Sequence, residues 1–262
     1  MMLANSPARY DHVKILGVRV DVIEMGELMS YIEEVIHQNG SALIANLNIH
    51  AINHAYELAW FRDFTNNSEM VVCDGFGIKW ASKFFYGKDL FRYTHVDWFE
   101  PLADTCVRNN FSLYFLGAQK SVVERAASIA CERHPGLVIL GTHDGYFDKS
   151  EGSEENNQLI EKINSLTPDI LIVGFGMPIQ EKWLLENRSK LNAHIIITAG
   201  GFFDYLSGNT KRAPHWMTDH GLEWLGRLIF DPVRLWRRYL IGNPVFFWRI
   251  ITHQILRIPL PY

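Results

Sequence analysis

The chain has 262 residues, enough for one large domain or two small ones. Hydrophobic residues make up 48% and charged residues 21%, which excludes intrinsic disorder and a polytopic membrane protein. The net charge of −4 excludes a polycationic nucleic-acid binder, but residues 223–262 hold six Arg against Glu223 and Asp231, a local +4 that leaves −8 for residues 1–222.

Cys73, Cys106 and Cys131 are widely spaced with no CxxC, and fit reduced thiols in a cytosolic compartment rather than a disulfide frame. No stretch reaches the roughly 18–20 continuous apolar residues of a spanning helix. The first residues, with Asn5, Ser6, Pro7, Arg9 and Asp11, lack the apolar region of a secretory signal.

In chain order, residues 15–22 alternate like a small hairpin, and 25–38 have helical periodicity ending at Gly40. Short apolar runs then recur at 42–45, 70–73, 112–116, 137–140, 170–173 and 195–198, separated by helix-length amphipathic stretches. Apolar on both faces, they read as buried parallel strands. Ser121 and Glu124 form a capping-box pattern opening a helix toward Arg133. Thr167-Pro168 stops the preceding helix, and Pro178 suits the first position of the next. The fold expected is α/β: a Rossmann-like, largely parallel sheet with helices on both faces.

Ligands of such sheets bind beyond the carboxyl ends of the strands. Those places carry Asn46 and Asn48; Asp74, Gly75 and Gly77; Gly117; Gly145 and Tyr146; Gly174, Gly176 and Gln180; and Gly200, Gly201 and Asp204. Each alone reads as a turn, because Gly, Asn and Asp are ordinary loop formers. Together on one edge they mark a ligand cleft, and Gly117, between strand and helix, offers backbone amides to an anion. There is no GxxxxGK[ST], no complete GxGxxG, no HExxH at His50 and His54, no Asp-x-Asp and no GxSxG. Asp74 is the candidate base, with an N-cap as its structural alternative. Gln180 suits hydroxyl or phosphate contacts, and Glu181 favours a helix N-terminus.

From Glu223 onward Arg interleaves with apolar and aromatic residues at helical spacing, broken by Pro232 and Pro244, and three of the eight Trp fall here. A bilayer interface, packing on the core and single-stranded nucleic acid compete for this tail. The −8 remainder repels nucleic acid, and an anionic membrane surface is the preferred partner. The expected division is a core over residues 1–211 and a basic, aromatic helical appendage over 212–262.

These motifs, with Phe115-Leu116-Gly117, Gly145-Tyr146-Phe147, the run from Val173 to Trp183, Gly200-Gly201-x-Phe203-Asp204, Arg212-Ala213-Pro214-x-Trp216, Gly221-Leu222-Glu223-Trp224 and Pro232-x-Arg234, resemble the WecG/TagA/CpsF family of glycosyltransferases over roughly residues 14–242. The resemblance implies a fold of GT-E type and an inverting transferase that needs neither metal ion nor cofactor. It implies transfer of a hexose, of N-acetylmannosamine or glucose type, from a UDP-sugar to a polyprenyl-diphosphate-linked sugar. Peripheral attachment to the inner face of the bacterial cytoplasmic membrane and a role in surface polysaccharide or teichoic-acid-type polymers follow with it. By motif the base falls on Asp74 and the donor-site glutamine on Gln180. Arg212, Arg227, Arg234, Arg237 and Arg238 match diphosphate and membrane contacts. Two departures touch the donor side. Asn46-Leu-Asn48 stands where the family often has Thr-x-Asn, and Arg92-Tyr-Thr-His95-Val-Asp97 has His in place of Gly. The competing readings are a NAD-dependent oxidoreductase on a similar sheet and a non-catalytic nucleotide-binding membrane scaffold.

Overall fold

The computed structural model describes residues 10–211, 214, 217, 218 and 220–260. β1 (His12–Ile15) and β2 (Val18–Asp21) form the expected hairpin, turned through Leu16 and Gly17, both at positive φ. It is latched to the sheet where the Val71 amide donates to Asp21 Oδ2 at 2.7 Å. The main sheet is parallel and six-stranded: β3 (Ala42–Leu47), β4 (Met70–Cys73), β5 (Ser112–Gly117), β6 (Val138–His143), β7 (Ile170–Gly174) and β8 (Ile195–Thr198), in the order β4-β3-β8-β7-β5-β6.

Five strands are buried on both faces, as continuous apolar runs require. The sixth differs from expectation. β6 starts one residue later, runs three further, and leaves Val138 and Leu140 exposed on one face while Ile139 packs inward; β4, at the opposite edge, is covered by the hairpin and stays buried.

One face of the sheet carries α1 (Met25–His37), α5 (His95–Asn109), α6 (Lys120–Arg133) and α9 (Phe202–Leu206), packed through Phe99, Phe115, Phe202 and Phe203. The other carries α3 (Ala59–Asn66), α7 (Glu154–Leu166) and α8 (Ile179–Asn187) around Trp183. A third cluster joins the hairpin, α2 (Ile49–Glu57) and α4 (Phe76–Tyr86). α7 ends at Thr167 in the left-handed region, before Pro168, as expected. α6 does not use the Ser121 box: it opens two residues earlier, at Lys120, with Gln119 as cap, so Ser121 already lies inside the first turn. Pro178 is the cap of α8 rather than its first residue.

The appendage comprises α10 (Glu223–Phe230), α11 (Pro232–Trp236) and α12 (Gly242–Ile250), with π-helical turns at Arg237–Ile241 and Ile251–Ile255. Pro232 opens a helix, with Asp231 as its cap, but Pro244 does not break one. The π turn before it sends carbonyls to amides one residue further along, which accommodates the missing N–H. Phe246 and Ile250 are fully buried in the third cluster, so the far half of the tail is built into the core. Among the described residues no helix is long and apolar enough to cross a membrane. All three cysteines are free.

Candidate active site

A cavity of about 600 Å³ opens over the carboxyl ends of β4, β3, β8 and β7 and is roofed by the appendage. Asp74 lies in its wall. It follows β4 directly, and its amide donates to the Leu47 carbonyl at 2.8 Å, continuing the ladder by one residue. Gly75, not Asp74, is the cap of α4, so the N-cap alternative fails and the carboxylate is free of that duty. Asn48 Nδ2 donates to Asp74 Oδ2 at 3.2 Å while Asn48 Oδ1 caps α2. Asp74 Oδ1 is buried and has no hydrogen-bond partner among the described residues. A buried carboxylate oxygen without a donor is costly unless something arrives to use it.

Gln180 is completely buried and does not line the cavity. Its Oε1 accepts from the amides of Gly200 at 3.0 Å and Gly176 at 3.3 Å, and its Nε2 donates to Glu181 Oε1 at 2.7 Å. Gly176 and Gly200 both have positive φ, so the loops after β7 and β8 need glycine to present these amides to one oxygen. Gln180 therefore shapes the rim from behind, through the loops it ties together. Glu181, also buried, has its carboxyl pushed up to about 7 by desolvation.

Gly117 differs from the expected anion cradle. A Cβ there would collide with the Gly174 carbonyl, and the amide of Ala118 is already donated to that carbonyl at 3.2 Å. Its glycine serves close packing of β5 on β7. Gly145 sits on the same stack, its amide given to the Ala118 carbonyl at 2.8 Å, and it stands outside the main cavity. Tyr146, mostly exposed, reaches the cavity rim, and Gly174, Gly201 and Asp204 line it, with Asp204 Oδ1 accepting from Asn209.

Asp97 is a helix-capping residue, accepting from Thr94 at its amide (3.0 Å) and hydroxyl (2.8 Å). Arg92 stacks over Phe76 and lies 3.7 Å from Glu223 Oε2, while Arg227 Nη2 meets Glu223 Oε1 at 2.7 Å and lies over the Tyr205 ring. Glu223 thus ties the appendage to the core, a role missed in the sequence although its motif was legible. Arg227, Arg234, Arg237 and Arg238 all face the cavity, Arg234 paired with Asp231 at 2.7 Å. Arg212 lies outside the described residues.

His50 and His54, weighed in the sequence only as a metal motif, and Asn46, expected on the donor side, take other places than expected. His50 and His54 line the cavity with their Nε2 atoms 3.1 Å apart, and burial with the nearby Arg238 charge drives His50 down to about 3, so both face the cavity as neutral rings. Asn46 is turned away from the cavity: Nδ2 donates to the Thr198 carbonyl, and its Oδ1 is buried without a partner among the described residues. No signal short of the strand pairing places Asn46 against Thr198. Among the described residues no cluster of three or more His, Cys, Asp or Glu is arranged to hold a metal ion.

A carboxylate and a set of arginines around one cavity suit group transfer from a phosphorylated donor, and comparison with known proteins narrows this. The model of the family described as "Glycosyl transferase WecG/TagA/CpsF family" matches residues 13–258. The chain belongs to this family. It is 29% identical to a Bacillus spizizenii protein over 233 residues, 88% of this chain and 87% of that one. A Bacillus subtilis protein is 30% identical over 213 residues (81% and 80%), and one from Staphylococcus aureus 27% over 244 residues (91% of each). All three carry the name N-acetylglucosaminyldiphosphoundecaprenol N-acetyl-beta-D-mannosaminyltransferase. The protein is thus a glycosyltransferase, and Asp74 and the arginine roof are the parts of this transferase that face its cavity.

Proposed function

We propose that the transferase moves a hexose, of N-acetylmannosamine or glucose type, from a UDP-sugar to a sugar held on polyprenyl diphosphate, with inversion and without a metal ion, in building a bacterial surface polysaccharide or teichoic-acid-type polymer. The observation that carries this reading is the buried Oδ1 of Asp74, without a partner among the described residues, in a cavity roofed by four arginines. The acceptor hydroxyl gives its proton to Asp74 as its oxygen attacks the anomeric carbon. The bond from that carbon to the diphosphate breaks on the opposite side, and its electron pair leaves with UDP. Arg227 and its neighbours on the appendage offset the charge that develops there, in a cavity where water is partly excluded. The names of the relatives support a diphosphate-linked lipid acceptor.

The appendage is read as the acceptor side and the membrane contact, over residues 212–262, with residues 1–211 as the donor-binding core. Val233 is 87% exposed, and Trp236, Leu240, Ile241 and Trp248 are also exposed beside Arg234 and Arg237. Interleaved aromatic and cationic residues of this kind settle at an anionic bilayer surface, here the inner face of the cytoplasmic membrane. The deciding experiment offers a panel of UDP-sugars and a synthetic polyprenyl-diphosphate sugar, and follows label into lipid. Transfer from one UDP-sugar with release of UDP is expected. Binding of NAD in place of UDP, or UDP binding with no transfer from any donor, would overturn the reading.

A further inference from the structure

His95 opens α5 and is buried in the cavity wall. Its Nε2 lies 3.3 Å from the Thr198 carbonyl oxygen at the end of β8. A carbonyl oxygen can only accept, so Nε2 carries the hydrogen and donates it. Asn46 on β3 donates to the same carbonyl from Nδ2, and its amide donates to Thr198 Oγ1 at 3.1 Å. Asn46 and His95 therefore close on one backbone group, and that group fixes the face the imidazole turns to Asp74.

That face presents Nδ1, 3.9 Å from Asp74 Oδ2. Burial disfavours the imidazolium and, with the Arg227 charge, holds His95 below its ordinary range. Asp74 and Glu223 pull the other way without prevailing, and Trp98 meets the ring edge-on. A neutral ring donating from Nε2 has a bare lone pair at Nδ1. Two acceptors then face each other with no hydrogen between them, which accounts for a gap about 1 Å wider than a hydrogen bond. Such a pair is set to receive one proton.

We propose that His95 is a positioning residue for Asp74 that takes over the acceptor's proton: the proton passes from the hydroxyl to the Asp74 carboxylate and from there to His95 Nδ1. The inference rests on Asp74 being the base of the transfer reaction, and adds where the proton goes. The acceptor O–H bond breaks and an oxygen electron pair makes the new bond to the anomeric carbon. The pair of the broken carbon–oxygen bond leaves on the diphosphate. The proton ends on Nδ1, Asp74 is again a carboxylate, and the resulting imidazolium–carboxylate pair is held until water entering the emptied cavity removes the proton.

The test is the pH profile of kcat/KM in the full-length protein and in His95→Gln, which keeps a donor for Thr198 but has no titrating ring. In the wild type Asp74 must be ionised and His95 neutral, so the acid limb is expected to steepen toward a two-proton slope. In the variant it falls to one proton, with kcat about tenfold lower and the KM for UDP-sugar within about twofold. An unchanged kcat, or an acid limb of the same slope in both proteins, overturns the proposal. Nitrogen NMR of labelled histidine in the unaltered protein keeps the test independent of how the variant folds. A hydrogen on Nε2 and a bare Nδ1 at neutral pH are expected, and a hydrogen on Nδ1 overturns it. In Asp74→Asn the His95 titration is expected to move to lower pH, whatever the activity. Normal turnover in that variant instead defeats Asp74 as the base, and so separates failure of the underlying reading from failure of the His95 role.

Discussion

The floor of the cavity is laid on strand exits whose polar atoms are mostly taken up by neighbours: Gln180 ties two glycine loops, Asn48 holds Asp74, and Gly117 packs on Gly174. Its roof is carried on helices that leave Val233, Trp236 and Trp248 in solvent and hold their arginines through pairs with Glu223 and Asp231. A floor fixed by buried hydrogen bonds keeps a carboxylate in place to within a rotamer, which chemistry at one carbon demands. A roof fixed by a few partly exposed ion pairs is held less tightly, because such pairs are worth little each, and that suits the lipid-linked acceptor proposed above. The two regions are not separable pieces, however, since Phe246 and Ile250 of the roof lie in the core. Deleting residues 212–262 would open that core as well as remove the arginines, so point substitutions test the roof more cleanly.

The contrast is sharpest at Asp74. Asp74→Asn is expected to lower turnover by about 10²-fold or more while UDP binding and the melting temperature stay near wild type. Steady-state transfer assays beside a UDP thermal shift check this, and turnover close to wild type would take the chemistry away from the floor. Gln180→Ala comes next. It removes the partner of the part-buried amides of Gly176 and Gly200, at about 0.5–1.5 kcal/mol for each hydrogen bond lost. Melting is expected to fall by about 2–4 °C for each kcal/mol lost, and calorimetry with UDP titration should find donor affinity down about tenfold. Unaltered UDP affinity would mean that the loops keep their shape without the tether.

For the roof, replacing Trp236 and Trp248 together by Ser is expected to cut sedimentation with anionic vesicles several-fold and leave UDP binding intact, as loss of buried apolar area at an interface predicts. Equal vesicle binding by variant and wild type would return the tail to mere packing. The smallest effect belongs to Glu181. Its folded-state pKa, raised to about 7, means the folded protein holds a proton that the unfolded chain releases near 4.5. The stability this gives is complete below the unfolded value and is lost as pH rises through about 7. Glu181→Gln should melt with the wild type near pH 5 and a few degrees above it near pH 8, in a range where 1 kcal/mol moves melting by about 2–4 °C. Parallel melting curves across that range would show that Glu181 finds a partner for its charge.

Much of this was readable one residue at a time. Apolar runs bounded by Gly, Asn and Asp located the six parallel strands, and Thr167-Pro168 located a helix end, because strand burial and backbone punctuation are local properties. Asp74 stood out for the same reason, as a carboxylate between an apolar strand and a glycine. Errors came where a neighbour distant in sequence decides. β6 looks like its fellows until the packing leaves one of its faces uncovered, whereas the hairpin covers β4 at the opposite edge; Ser121 is a local exception, displaced as cap by Gln119 two residues before it. Asp97 and Gly117 sit in motifs that suggest a ligand, yet each is already engaged, one by Thr94 and the other by the close approach of Gly174.

By itself, then, the order of amino acids determined an α/β sheet with Gly, Asn and Asp at its strand exits and an end of the chain where arginines outnumber acids, since periodicity and charge need no partner to be legible. The tertiary structure alone decided that Gln180 works from behind the loops, that Glu223 joins tail to core, and that Asn46, His95 and Asp74 meet around the end of β8. Those meetings join positions up to 152 residues apart, and a hydrogen bond or a shared burial between such positions exists only once the strands have been laid side by side.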